Sequence, residues 1–216
     1  MRSNLGKRIA SAAVLIPLVL WIILKAPAWL FMAVISLCAA LCAWELLRMV
    51  FKEQPLVQFA GALMTMVGML HTRYAGNAHD LAAAWMVLLI VLATIGLISL
   101  GRYPSYYSRI GWLLVPPFYI GLPLTALALL HAEPEGAAWV VLALTLAFVG
   151  DTGGYVVGSL WGTRKLAPTI SPNKTVQGAA GGLMGSLIAA VIAHVWYLPS
   201  VSWIGALGLG FVGGVA

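Results

Sequence analysis

Between Gly150 and Gly178 a largely apolar chain gathers one carboxylate, Asp151, three cations, Arg164, Lys165 and Lys174, and the polar side chains of Ser171, Asn173, Thr175 and Gln177. Asp151 is one of two aspartates in the sequence and follows the apolar run 137–149, so a helix starting near Ala137 carries it into or against a membrane. A charge at mid-bilayer costs about 2.5–3.5 kcal/mol on insertion scales, so such a residue usually faces a bundle interior or a water-filled cavity. The plainer alternative is a carboxylate at headgroup level beside glycines that serve packing alone. The stretch 163–177 contains Pro168 and Pro172, which forbid one continuous helix and predict a loop at the membrane edge. Three cations with hydroxyl and backbone donors suit a phosphate-bearing ligand, although no Walker-type glycine loop is present. An ordinary cytoplasmic loop obeying the positive-inside bias would have the same composition.

The elements that hold these residues are legible from spacing. At about 100° per residue, Gly154, Tyr155, Gly158 and Gly162 fall within about 60° of Asp151 on one helix, with Leu146, Val149, Val156 and Leu160 opposite. Glycines at fourfold spacing admit a second helix at close range. Gly178 with Gly182, and Gly181 with Gly185, repeat that pattern in the following apolar run and make it the natural partner, with the basic loop as connector.

With 62% hydrophobic and 8% charged residues among 216, and a mean hydropathy of +0.99, the chain is a polytopic membrane protein rather than a soluble domain. The expected fold is all-α, with about eight transmembrane helices, a kinked or broken helix and a polar cavity facing the cytoplasm. The apolar runs are 9–24, 29–50, 56–70, 81–100, 111–130, 137–160, 176–198 and 203–216. The first could be a signal peptide, with Ala26-Pro27-Ala28 imitating a cleavage site, but an uncleaved span is preferred because proline is awkward there. Pro116, Pro117 and Pro123 should bend or interrupt the fifth run.

Charge orients the spans. With the N-terminus in the cytoplasm, inside segments hold Arg2, Lys7, Arg8, Arg48, Lys52, Arg102, Arg109, Arg164, Lys165 and Lys174, and outside segments hold Lys25 and Arg73. That arrangement makes a multi-pass protein of the cell inner (cytoplasmic) membrane with the 163–177 loop inside. The net charge of +6 is scattered between apolar runs rather than gathered in a patch, which argues against a nucleic-acid partner. Cys38 and Cys42 read as buried thiols; His71, His79, His131 and His194 fall on the outer side and form no metal-ligand cluster. Glu133 and Glu135 read as solvated charges of an outer loop, and Glu45, three residues before Arg48, as half of a helical ion pair or, alternatively, a substrate contact.

The order Asp-x-Gly-x-Tyr-x-x-Gly-x-x-x-Gly, then Lys165-Leu-Ala-Pro168, then Ser171-Pro-x-Lys-Thr-x-Gln-Gly178 resembles the membrane phosphatidate cytidylyltransferases, also called CDP-diacylglycerol synthases. Weaker similarity extends to 8–17, to Ala43-Trp44-Glu45-Leu46 and to Val115-Pro116-Pro117-Phe118. The resemblance implies that CTP and phosphatidic acid, held among membrane lipids, give CDP-diacylglycerol and pyrophosphate. Carried over residue by residue, Asp151 and Lys174 would be catalytic. Asp151 would hold Mg²⁺ or another divalent cation, and Lys165, Ser171, Asn173, Thr175 and Gln177 would contact substrate, with Asn173 and Gln177 as loop organisers in the alternative.

Residues 1–136 are then N-terminal transmembrane helices, and 137–216 the start of a catalytic transmembrane region. The family continues with a segment resembling Ser-x-x-Lys-Arg, Lys-Asp, Pro-Gly-His-Gly-Gly and Asp-Arg-x-Asp, whereas this sequence stops at Ala216. The expectation is a truncated chain in which residues 1–216 bind CTP without turning it over. A non-catalytic transporter or lipid-binding protein on the same scaffold, and a CTP-dependent lipid kinase, are the alternatives. Oligomeric state stays open, a homo-oligomer included.

Overall fold

The computed structural model describes residues 2–74, 87, 90–91, 94, 106–169 and 171–215, with side chains from residue 13 onward outside 74 and 106–110. The chain divides into two compact units, Met1–Ala132 and Glu133–Ala216.

The first unit holds α1 (Arg2–Lys25), α2 (Ala28–Val50), α3 (Pro55–Tyr74), α4 (Tyr106–Val115), a π-helical segment (Pro116–Gly121) and α5 (Leu122–Ala132). Ala39, Ala43 and Leu47, at fourfold spacing, bury one face of α2, and Leu47 joins Phe51, Val57 and Leu113 in a core cluster. The turn after α2 is closed by Gln58, which donates from Nε2 to the Phe51 carbonyl at 2.7 Å and accepts from Trp44 Nε1 at 3.2 Å. His131 is accounted for structurally: its Nε2 meets the Ile23 carbonyl at 2.8 Å and its ring stacks on Phe31 with centroids 4.0 Å apart.

The prolines do what their missing N–H groups require. Pro116 and Pro117 cannot donate to the preceding turn, and the helix passes them in π geometry, with the Leu122 N–H reaching back to the Pro117 carbonyl. The helical axis nevertheless continues across Gly111–Ala132.

The second unit is α6 (Gly136–Trp161), β1 (Lys165–Ala167), β2 (Ser171–Thr175), α7 (Val176–Trp196) and α8 (Trp203–Val215). Its core is Leu142, Leu146, Ala189, Ala190, Ala193 and Leu198. The helix faces turned outward are apolar, as at Phe148, Ile188, Val195 and Ile204, an arrangement suited to lipid rather than water. Hydroxyls along the helices turn back on their own backbone, Thr145 to the Val141 carbonyl and Thr152 to the Phe148 carbonyl, both at 2.7 Å. Without water nearby, this is the cheapest partner available to them.

Among the described residues, four helical stretches are long and apolar enough to cross a membrane: Ala28–Val50, Gly111–Ala132, Gly136–Trp161 and Val176–Trp196. Ala13–Lys25 and Trp203–Val215 are shorter apolar helices. The expected span 81–100 falls almost wholly outside the described residues, as do His79 and Arg102.

Three expectations are corrected. Within a mostly helical chain, the stretch expected as a loop holds two strands, Lys165–Ala167 and Ser171–Thr175, paired antiparallel. Cys38 and Cys42 are exposed, since the small residues Ser36, Ala39 and Ala43 take the packed face of α2 instead. Glu45 and Arg48 form no ion pair with each other among the described residues; both line an open pocket with Met49 and Lys52.

Candidate functional site

The site is built on the close pairing of α6 and α7. A Cβ placed on Gly153 would come within 2.6 Å of the Gly181 carbonyl, and one on Gly181 within 2.5 Å of the Val157 Cβ. At Gly154 it would lie 3.4 Å from the Gly178 carbonyl, and at Gly150 2.6 Å from the Ser186 Oγ. At Gly150, Gly153 and Gly181 these distances leave no room for a side chain, whereas Gly154 sits at ordinary contact distance, so the first three glycines are what permits the close approach. Ser186 adds an interhelical hydrogen bond, donating to the Leu146 carbonyl at 3.2 Å.

The seam is centred on Gly150, Gly153, Gly154, Val157 and Gly158. That centre lies roughly 100° around α6 from Asp151 at 3.6 residues per turn. Asp151 therefore borders the seam instead of facing the partner helix as the sequence pattern suggested. Its carboxylate is exposed, and among the described residues no hydrogen bond or ion pair engages it.

Where α6 ends, the chain turns into the hairpin. Lys165 pairs with Thr175 and Ala167 with Ser171, with an irregularity between the two pairs. Thr175 occupies the N-cap of α7: its Oγ1 accepts from the Gly178 N–H at 3.1 Å, and the residue is 6% exposed. Gly162 and Gly158 make this possible, because a Cβ at Gly162 would stand 2.7 Å from Thr175 Oγ1 and one at Gly158 3.2 Å from it.

Gln177, in the first turn of α7, latches the start of the hairpin. Its Oε1 accepts from the backbone N–H groups of Thr163 and Arg164, each at 3.3 Å, and its Nε2 donates to Thr163 Oγ1 at 2.7 Å. The Val176 N–H completes the closure on the Arg164 carbonyl at 2.9 Å. The sequence resemblance offered Thr175 and Gln177 as substrate contacts, but their polar atoms are engaged in building the hairpin. The signals for this were present: a threonine directly before an apolar helical run marks an N-cap, and Gln177 was also read as a loop organiser.

Lys165, Asn173 and Lys174 are exposed and Ser171 is half-buried. Strand alternation places Ser171, Asn173 and Thr175 on one face of the ribbon and Lys174 on the other. Pairing with Thr175 puts Lys165 on the first face, so the two lysines flank the ribbon instead of forming one cluster. Along α6, Asp151 lies seven residues before Gly158, which touches the Thr175 level, so about 10 Å of helix axis separates carboxylate and hairpin. That interval is suited to an extended polyphosphate and too long for one phosphate oxygen.

No group of three or more His, Cys, Asp or Glu side chains able to hold a metal occurs among the described residues. Mg²⁺, however, keeps several waters and is commonly held by one or two carboxylates together with substrate phosphates. A single exposed, unengaged Asp151 fits an ion that arrives with a nucleotide, and does not form a closed protein cage.

Residues 6–216 match the family model described as "Cytidylyltransferase family". The chain is 32% identical over 185 residues to a phosphatidate cytidylyltransferase of Pseudomonas aeruginosa, covering 83% of this chain and 66% of the relative. To the Bacillus subtilis protein of the same name it is 30% identical over 167 residues, covering 75% and 61%. A Mycobacterium leprae phosphatidate cytidylyltransferase is 41% identical over 85 residues, 39% of this chain and 27% of that protein. The chain thus spans at most about two thirds of the length of these relatives. Since the match runs through the glycine seam, the hairpin and both units, the chain belongs to the cytidylyltransferase family.

Proposed function

We propose that this protein transfers the cytidylyl group of CTP to phosphatidic acid, giving CDP-diacylglycerol and pyrophosphate for phospholipid synthesis. The observation that carries the reading is the cation-bearing hairpin, latched at the end of two membrane-length helices, in a chain of this family. A phosphate oxygen of the lipid is already a nucleophile, so no serine, cysteine or histidine needs activating. That oxygen attacks the α-phosphorus of CTP, the bond from the α-phosphorus to its bridging oxygen breaks, and pyrophosphate leaves with the electron pair. What the protein must supply is alignment of two polyanions and neutralisation of charge.

Lys174 and Lys165, on the two faces of the ribbon, bind phosphate oxygens, and Ser171 and Asn173 offer a hydroxyl and an amide to the nucleotide. Gln177 and Thr175 fix the ribbon so that those groups are held before substrate arrives. Asp151 would hold Mg²⁺ brought with CTP; the ion, when bound, supplies neutralisation of phosphate charge. The eight-span arrangement, with a polar cavity open to the cytoplasm and the N-terminus inside at the inner membrane, is part of the proposal. In the second unit the hairpin end carries Arg164, Lys165 and Lys174, whereas the segments at the far end, 133–135 and 197–202, carry no Lys or Arg. That polarity supports the orientation.

The test is product analysis with the complete protein, as expressed in native membranes, supplied with CTP and phosphatidic acid. CDP-lipid with pyrophosphate is expected; CDP with a phosphorylated lipid would replace the proposal by a lipid kinase, and no turnover by a non-catalytic scaffold. Asp151→Asn should lower transfer on the order of 10²-fold, the usual cost of removing a group that acts on developing charge. Near-normal turnover in that variant at saturating Mg²⁺ would sink the role of Asp151.

A further inference from the structure

The pocket at the end of α2 is not used by the proposed reaction. Glu45, Arg48 and Met49 recur at i, i+3 and i+4 on one face of α2, and Lys52, in the turn just past its end, completes the lining. Leu47 and Ala43 occupy the core-facing side of the same helix. The space they line is about 520 Å³ and broadly open at the surface. Neither Arg48 nor Lys52 has an ion-pair partner among the described residues, although Glu45 lies a single turn from Arg48.

Location narrows the ligand. Arg48 is in the last turn of a 23-residue apolar helix and Lys52 follows its end, which is the depth of lipid headgroups whichever way the helix is oriented. Exposed Trp44 lies on the hydrocarbon side of Arg48, and exposed Met49 sits beside it near the helix end. Among the described residues the lining offers two cations and one carboxylate, a set suited to a single anionic headgroup. Glu45 is the deepest of the charged residues, whereas the amine of a zwitterionic headgroup lies outside its phosphate, so Glu45 is poorly placed to receive that amine.

We propose that Arg48 and Lys52 form a binding site for the phosphodiester of an anionic phospholipid headgroup, with Glu45 opposing their charge. The site stands within the first unit and does not rest on the transfer reaction.

The test is native mass spectrometry of the whole protein in detergent, titrated with phosphatidylglycerol or phosphatidylcholine, with glycerol phosphate as soluble competitor. Selective binding of phosphatidylglycerol is expected. The double variant Arg48→Gln, Lys52→Gln should weaken it about 30-fold, from two cations near a membrane surface. Glu45→Gln should tighten it about 5-fold by raising the site charge. A mere loss of folding would weaken binding in every variant, so the opposite sign of Glu45→Gln is the decisive reading. Unchanged affinity in the double variant, weakened binding in Glu45→Gln, or equal binding of phosphatidylcholine would each overturn the proposal. Displacement by glycerol phosphate at lipid-equivalent concentration would also overturn it, by making the site one for a free phosphate.

Discussion

Gln177 shows how a single side chain can organise a site without touching what the site binds. Its amide closes three hydrogen bonds onto Thr163 and Arg164. A carboxylate could keep all three contacts, because it accepts from both N–H groups and from the Thr163 hydroxyl. Gln177→Glu should therefore preserve the hairpin while Gln177→Leu should open it. Limited trypsin digestion is the measurement: faster cleavage after Arg164 and Lys165 is expected in the leucine variant alone, and equal cleavage in both would remove the latch. Thr175 permits a parallel comparison. Thr175→Ser retains the cap on the Gly178 N–H, whereas Thr175→Ala leaves it unmade and should cost about 0.5–2 kcal/mol, read as a lowered unfolding midpoint.

At the scale of elements, the pairing of α6 and α7 rests on backbone contact. Gly153→Ala would drive a methyl into the Gly181 carbonyl, and because the obstacle is backbone rather than a movable side chain, a loss of roughly 1–3 kcal/mol is expected. Gly208, exposed on α8 with nothing within 4 Å of an added Cβ, is the control. Gly208→Ala should be neutral or stabilising by up to about 1 kcal/mol, from helix propensity alone. Unfolding midpoints in sodium dodecyl sulfate would check both, and equal responses would show that the seam is not packing-limited. Gly210 and Gly214 make a second such contact, with added Cβ atoms 2.9 Å from Leu187 Cα and 2.8 Å from Leu183 Cα respectively.

For the molecule as a whole, the apolar outward faces define a membrane protein, and the remaining question is orientation. If the hairpin is cytoplasmic, a cysteine introduced as Thr169→Cys, with Cys38 and Cys42 replaced because both are exposed, resists an impermeant thiol reagent applied outside intact cells. Labelling is expected only after permeabilisation. Modification in intact cells would reverse the proposed topology and remove the cytoplasmic nucleotide from the argument.

Composition and periodicity were sufficient for the membrane class, for α6 and α7 within a few residues, for their glycine-mediated pairing and for the disturbance at Pro116 and Pro117. These features depend on local sequence: hydropathy over a span, fourfold small residues, and missing N–H groups. Strand pairing was not legible in 163–177, because two short polar segments with prolines become a ribbon only when α6 and α7 bring their ends together. The same dependence hid the latch, since Gln177 meets Thr163 across 14 residues of chain. Rotation about α6 was equally undecided: glycines lie on several sides of Asp151, and only the packed partner selects Gly150, Gly153, Gly154 and Gly158 as the seam, leaving the carboxylate at its edge. Residue types thus determined which chemistry is available, while tertiary contact decided which polar atoms build the hairpin and which remain open to a ligand.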